Sequence, residues 1–437
     1  MSQPVPSPPA PAVAPRSRRT LLWTGTTYFG EGLPWSFLHQ LATEFLTAIG
    51  ASKTQIGSTS LLHLAVTFKF VWSPIVDLFG RRRTWVVLLQ LLLGAGMFGV
   101  AAISATRNMT AFWAALGVLA VIHATHDIAC DGFYLQALDK AGQALYSGVR
   151  TAAFRLAMIV GSSALVVLAG QTSWPIAFGG AGALMILIAL INMAVMPRAG
   201  ETAPAVRPTD NPGANAVVSP AGAPVADVSK AEKFFAAYRS FLAQPRAPVV
   251  LAFMFFYKLG DIMMFAMSKP LLRDIGIDTT HRGWLNGLGT AAFIVGSIAG
   301  GALIARRGIE RCLAPMTLFQ NLAIPLYIVL AVVKPRFAGV VPVVLFEQFA
   351  SGIGGAAHVV FLMRRCRAAF SASHYAFATA IVSLGSTLSG YASGPLNEAL
   401  GHPRFFLVAF IASWPSLVLV WIVPKGEVEP GTATPAG

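Results

Sequence analysis

Twelve stretches of about 20 residues in this chain are predominantly apolar, each long enough to cross a hydrocarbon core as an α-helix. Their approximate limits are 21–45, 55–76, 84–105, 110–138, 144–169, 174–196, 246–272, 282–305, 311–333, 339–364, 370–395 and 403–424. In lipid every backbone N–H and C=O must be satisfied within the protein, so the pattern admits a helical bundle and excludes open strand edges. Composition agrees: 437 residues that are 55% hydrophobic and only 11% charged carry too little charge to coat a soluble globule. The expected fold class is an all-α polytopic membrane protein of about 12 transmembrane helices in two six-helix halves.

The net charge of +14 does not imply nucleic acid, because Lys and Arg sit in short clusters between apolar stretches rather than along one face. Placing both termini and the even-numbered turns on one side gathers 20 of the 32 basic residues there, including Arg81, Arg82, Arg83, Arg306, Arg307, Arg364 and Arg365. The opposite turns hold seven: Lys53, Arg107, Arg273, Arg282, Lys334, Arg336 and Arg404. The positive-inside rule then puts the termini in the cytoplasm. The resulting organisation is a disordered N-terminus (1–20), a first bundle (21–196), a Pro- and Ala-rich cytoplasmic connector (197–245) with a short surface helix near Ala231–Leu242, a second bundle (246–424) and a tail (425–437). The first apolar stretch runs on as a full span, so no cleaved leader is expected.

The halves echo each other. Span one carries Tyr28-Phe29-Gly30-Glu31, and span seven carries Tyr257-Lys258-Leu259-Gly260-Asp261. Span two ends in Asp77-Leu78-Phe79-Gly80-Arg81-Arg82-Arg83, and span eight ends in Arg306-Arg307-Gly308-Ile309-Glu310-Arg311. The first of these turns resembles the cytoplasmic loop signature of the major facilitator superfamily, which implies that Asp77, Gly80, Arg81, Arg82 and Arg83 form a conformational latch. A plain basic topology anchor is the alternative reading.

Ionisable groups inside a span are costly and usually face a cavity or one another. His123, Asp127 and Asp131 in span four are spaced by four and share a helix face. Two carboxylates one turn apart cannot both ionise cheaply, so these residues, with Glu31 of span one, are candidates for proton coupling. The competing reading is structural neutralisation of Asp127 and Asp131 by Arg155 or Lys69. Glu31 precedes Gly32-Leu33-Pro34, a break that can leave carbonyls lining a cavity. Lys69, Arg155, Lys258, Asp261, Tyr28 and Tyr257 are candidates for substrate binding, although Lys258 and Asp261 can simply pair on one face and Lys69 can snorkel. His39, His63, His358 and His374 fit packing roles at least as well as proton relay.

Cys130, Cys312 and Cys366 share no metal-ligand spacing, so no metal site is expected. No phosphate loop, nucleophile elbow, HExxH or CxxC pair occurs. The chain is therefore not expected to be an enzyme or to hold a cofactor.

Several strings resemble the AmpG muropeptide permeases of the major facilitator superfamily: Gly32-Leu33-Pro34, Phe68-Lys69-Phe70-Val71-Trp72-Ser73-Pro74, His126-Asp127-Ile128-Ala129-Cys130-Asp131, Phe154-Arg155-Leu156-Ala157-Met158, Tyr257-Lys258-Leu259-Gly260-Asp261 and Phe346-Glu347-Gln348. The sequence departs from that family at Glu31, where a small polar residue is usual, at His126 and His374, where Gln is common, and at Phe154, where Tyr is common. The resemblance implies a major-facilitator fold in a bacterial inner membrane and proton-driven import of an anhydro-muropeptide. Related branches carry siderophores or acetyl-CoA, so another anionic solute is the alternative cargo, and a ligand-binding receptor without transport is the alternative class. The expected partners are a small-molecule substrate, protons and the lipid bilayer, with no nucleic acid, and a single chain is expected to suffice as a monomer.

Overall fold

The computed structural model describes residues 17–106, 108–198, 238–367 and 371–426. The N-terminal segment through residue 16, connector residues 199–237 and the tail from 427 lie outside the described residues, as does most of the expected surface helix, of which 238–242 are helical. Grouped at their turns, the helices form rods α1 (18–48), α2 (53–78), α3 (Arg82–Thr106), α4 (Met109–Ala137), α5 (140–171) and α6 (Trp174–Val195). After the connector come α7 (247–274), α8 (Thr279–Arg307), α9 (309–333), α10 (Phe337–Arg364), α11 (371–400) and α12 (402–422). Gly401, at φ 71°, turns the chain between the last two rods. Side chains cap several rods: Ser17 accepts from Thr20 N–H, Ser52 forms a reciprocal capping box with Gln55, and Asn108, Asp139 and Asp278 each accept from the N–H three residues on.

Among the described residues nine helices are long and apolar enough to cross a membrane, the last of them containing both α11 and α12. The two rods outside that set carry the polar and interrupted sequence: α1 holds Glu31 and Glu44, and α2 is broken into short turns. Large apolar side chains such as Val118, Ile298, Val332 and Trp421 point outward, a surface suited to lipid tails. The chain is an integral membrane protein.

In the first half α1 packs on α5 and α6, and α3 packs on α4 and α6; in the second, α7 packs on α11, and α10 packs on α8 and α9. The halves meet along two seams, α2 against α11 and α5 against α8, which correspond to each other under exchange of the halves. Both seams need glycine. A Cβ on Gly283 of α8 would stand 2.8 Å from Val167 N, and one on Gly394 of α11 would collide with the Lys53 carbonyl.

Among the described residues Thr67 and Ser383, 2.8 Å apart, join the halves nearer mid-depth, while the ion pairs that join them lie at one end of the seams, the end away from the chain termini. There the buried Glu44 of α1 accepts from Arg282 of α8 at 2.9 Å and from Asn286 at 3.0 Å. Thr54 of α2 donates its N–H to Glu398 of α11 at 3.1 Å, and Lys53 pairs with Asp274 of α7 at 3.5 Å. At the opposite end Arg82 donates to the Gly132 carbonyl, Arg246 donates to the Ile422 carbonyl and Arg364 pairs with Glu310, each within one half. The Glu44, Thr54 and Lys53 contacts seal the end away from the termini.

Candidate substrate pathway

The sequence expects a break after Glu31, but the α1 helix runs through Pro34 to Ser36, and the irregularity follows it as a π turn at Phe37–Leu41. Gly32 serves close packing instead, since a Cβ there would meet Ala157 Cβ at 3.0 Å on α5. Lys69 and Lys258 both sit at genuine breaks, Lys69 opening a 3-10 turn in α2 and Lys258 interrupting α7 at φ −100°, ψ 2°. Loosened backbone lets each lysine turn inward from a rod that otherwise faces lipid or packing.

In the first half Lys69 forms an ion pair with Asp127, and Glu31 lies against the Asp127 carboxyl. Asp131, one turn on, pairs with Arg150 of α5 at 2.8 Å and accepts from Tyr28 Oη at 3.0 Å, while the Arg150 guanidinium sits 4.4 Å over the Tyr28 ring. Of the two structural partners expected for these aspartates, Lys69 takes that role and Arg155 does not; Arg150 takes its place. Three carboxyls thus face two cations. Glu31 Oε2 is buried without a hydrogen-bond partner, and His123 Nδ1 is likewise unsatisfied within the same span as Asp127.

The second half is arranged differently. Lys258 donates to Asp261 at 3.0 Å, to Gln320 at 3.1 Å and to Ser351 at 3.2 Å, and Ser351 donates to Asp261 at 3.1 Å, which closes the network on itself. Tyr257 donates to the Gly354 carbonyl at 2.7 Å, stacks on His358 and is buried. His39 and His63 stack on each other, 3.8 Å between centroids.

A cavity of about 310 Å³ lies between the halves, lined by Trp35, Arg155 and Ser162 of the first and by Lys258, Lys269, Asn286, Phe293 and Glu347 of the second. A second space of about 430 Å³, bounded by Tyr28, Glu31, Trp35, Arg150, Phe154 and Arg155, shares Trp35, Arg155 and Met158 with it. The two spaces adjoin at these residues. Of the latch residues, Gly80 has φ 75°, Arg82 donates to the Gly132 carbonyl at 2.8 Å, Arg83 donates to the Met193 and Met196 carbonyls, and Arg81 is exposed; the side chain of Asp77 lies outside the described residues. These arginines bind the start of α3 to the ends of α4 and α6.

Sequence reasoning missed Arg150, Lys269, Glu44 and the inward turn of Arg282. One signal was present. The basic residues assigned to the two sides leave five within the spans, namely Lys69, Arg150, Arg155, Lys258 and Lys269, and two of those were passed over.

A bundle of two matched halves sealed at one end around a central polar path has the architecture of a membrane transporter. The sequence profile of the Major Facilitator Superfamily matches residues 20–390, and the chain belongs to that superfamily. Within it the similarity is to AmpG-like permeases. The chain is 28% identical over 402 residues to the anhydromuropeptide permease of Escherichia coli (strain K12), covering 90% of this chain and 77% of that protein. It is 24% identical over 411 residues to the putative transporter AmpG 4 of Rickettsia conorii, covering 91% and 95%. The crystal structure of the nucleoside transporter NupG (D323A mutant) shares the fold, with a TM-score of 0.63 at 15% identity over 92% of this chain and 98% of that one.

Proposed function

We propose that this transporter is a proton-coupled importer of an anhydro-muropeptide or a related cell-wall recycling product, working as a monomer in the bacterial inner membrane with both termini in the cytoplasm. The observation that carries the coupling is the unequal charge count at the inner mouth: Glu31, Asp127 and Asp131 against Lys69 and Arg150. The third carboxyl is most simply neutralised by a proton, which makes the cluster a seat that fills and empties as the halves rock. His123, beside Asp127, is positioned to relay that proton. With the termini in the cytoplasm, the Glu44–Arg282 pair closes the outer end, which supports an inward-facing state from which cargo leaves toward the cytoplasm. The latch at Arg82 and Arg83 keeps the first half rigid while it rocks.

The cargo reading follows the named activity of the Escherichia coli relative. Its test is uptake of labelled anhydro-muropeptide into liposomes holding the purified protein, with and without an inward proton gradient, and with Asp127→Asn as comparison. Accumulation that needs the gradient and is lost in the variant supports the proposal. Gradient-driven uptake of a siderophore or acetyl-CoA without muropeptide uptake moves the cargo and keeps the importer, and saturable binding without any accumulation replaces the importer with a receptor.

A further inference from the structure

Three of the five cations within the spans have a carboxylate: Lys69 has Asp127, Arg150 has Asp131 and Lys258 has Asp261. Among the described residues neither Arg155 nor Lys269 enters an ion pair. Lys269 of α7 is 3% exposed, and its ammonium reaches only the Gln40 carbonyl at 3.5 Å and the Phe265 ring at 5.5 Å. Arg155 of α5 touches Met158 Sδ at 3.7 Å and lies 5.1 Å from the Phe293 ring centroid. The carboxylates closest to hand are committed elsewhere. Glu44 is held by Arg282 and Asn286, and Glu347 accepts from Tyr327 Oη at 3.3 Å and Gln348 Nε2 at 2.9 Å.

Burying a cation without an anion is unfavourable, so such groups persist where a ligand supplies the missing charge. Both cations line the 310 Å³ central cavity, and they come from opposite halves. Trp35, Phe265 and Phe293 line the same space. We propose that Arg155 and Lys269 together bind the negatively charged group of the cargo, so that the transported class is an organic anion with a carboxylate or phosphate at one end and an uncharged ring or chain against Trp35, Phe265 and Phe293. An anion held by α5 and α7 at once ties the two halves together, which makes occupancy itself a force for closure. Lys69 and Lys258, by contrast, keep their protein carboxylates throughout.

This inference rests on the importer reading but not on the identity of the cargo. It is tested by calorimetric titration of the full-length protein in nanodiscs with three probes: an anhydro-muropeptide with free carboxylates, the same compound with its carboxylates amidated, and acetyl-CoA. Amidation is expected to weaken binding to the unaltered protein about tenfold or more, and Arg155→Gln and Lys269→Met are each expected to weaken the charged probe by a similar factor while leaving the amidated probe unchanged. Retention of acetyl-CoA binding with the same loss in both variants, and no muropeptide binding at all, removes the muropeptide assignment and upholds the anion site. Equal affinity for free and amidated muropeptide in the unaltered protein overturns the anion site and leaves the muropeptide assignment standing. That comparison needs no variant, so it decides the matter even if either substitution prevents folding. A protein that binds the charged probes equally well with or without Arg155 and Lys269 also overturns it.

Discussion

The two halves carry the same motif, a tyrosine followed by an acid on the first rod with a lysine at a helix break nearby, yet they use it for opposite ends. In the second half the lysine and the acid face each other one to one with Ser351 and Gln320 Oε1 closing the network, and only Gln320 Nε2 is left without a partner. In the first half the equivalent region holds one carboxyl too many, and the Asp131–Arg150 pair is more than a third exposed to the open path. A balanced, closed network fixes a helix break; an unbalanced, open one can change its charge. The two halves share the motif, and under the proposed coupling the first-half cluster, with its extra carboxyl, is the one that takes up the proton.

The sharpest way to break this comparison is Glu31→Gln, which leaves two carboxylates for two cations. With no seat left to fill, the accumulation ratio under a proton gradient falls to about one, while exchange of labelled for unlabelled cargo continues. Parallel uptake and counterflow assays separate these outcomes. Loss of accumulation in Glu347→Gln but not in Glu31→Gln moves the proton seat into the second half and ends the contrast.

The next effect concerns the seam that joins the halves. Glu44 and Arg282 have side chains 0% and 2% exposed, so Glu44→Gln leaves a buried guanidinium without its counter-charge, a loss of about 3–5 kcal/mol. Because the pair exists only with that end sealed, the loss appears as a population shift of more than about a hundredfold toward the opposite state. A cysteine introduced at Thr290 in the cavity should then become reactive from the side away from the termini. Unchanged labelling shows that the seal is held by the glycine seams instead.

Asp261→Asn comes next, at about 3 kcal/mol, because Gln320 and Ser351 still accept from the stranded Lys258. The double substitution Lys258→Met with Asp261→Leu is expected to recover most of that stability in thermal unfolding, as a purely structural pair should. Failure to recover it, with transport lost as well, gives the second-half network a role in the cycle.

What the sequence made legible follows from where polarity is rare. Asp127, Asp131, Lys69 and Glu31 stood out because each interrupts an apolar run, and spacing by four placed the aspartates on one face; the structure brings all four together. The partner of Asp131 was hidden because it lies on another span, and no local spacing tells whether Arg150 or Arg155 turns toward α4. Arg282 was read as a turn charge. It lies one helical turn inside α8, and its partner Glu44 is 238 residues away, a pairing that no local pattern encodes. Close packing inside the second half also depends on bare backbone: a Cβ on Gly296 or Gly352 would strike the facing helix of the α8–α10 pair.

The smallest effect tests the halves at their matching turns. Gly80 follows α2 at φ 75° and Gly308 follows α8 at φ 77°, a positive φ at the same place in each repeat. They differ in surroundings. Gly308 has ψ 152°, a backbone region that is almost exclusive to glycine, and a Cβ there would stand 2.8 Å from Glu310 Oε2, the carboxylate that pairs with Arg364. At Gly80 the nearest atom to such a Cβ is Trp85 Nε1, at 3.6 Å. Gly308→Ala should therefore cost about 1–3 kcal/mol. Gly80→Ala carries the backbone penalty alone, about 1–2 kcal/mol. Thermal unfolding of the two single variants in one detergent measures the difference. If Gly80→Ala is the more damaging and also slows transport, the first-half turn does more than reverse the chain, and the latch built on Arg82 and Arg83 depends on its shape.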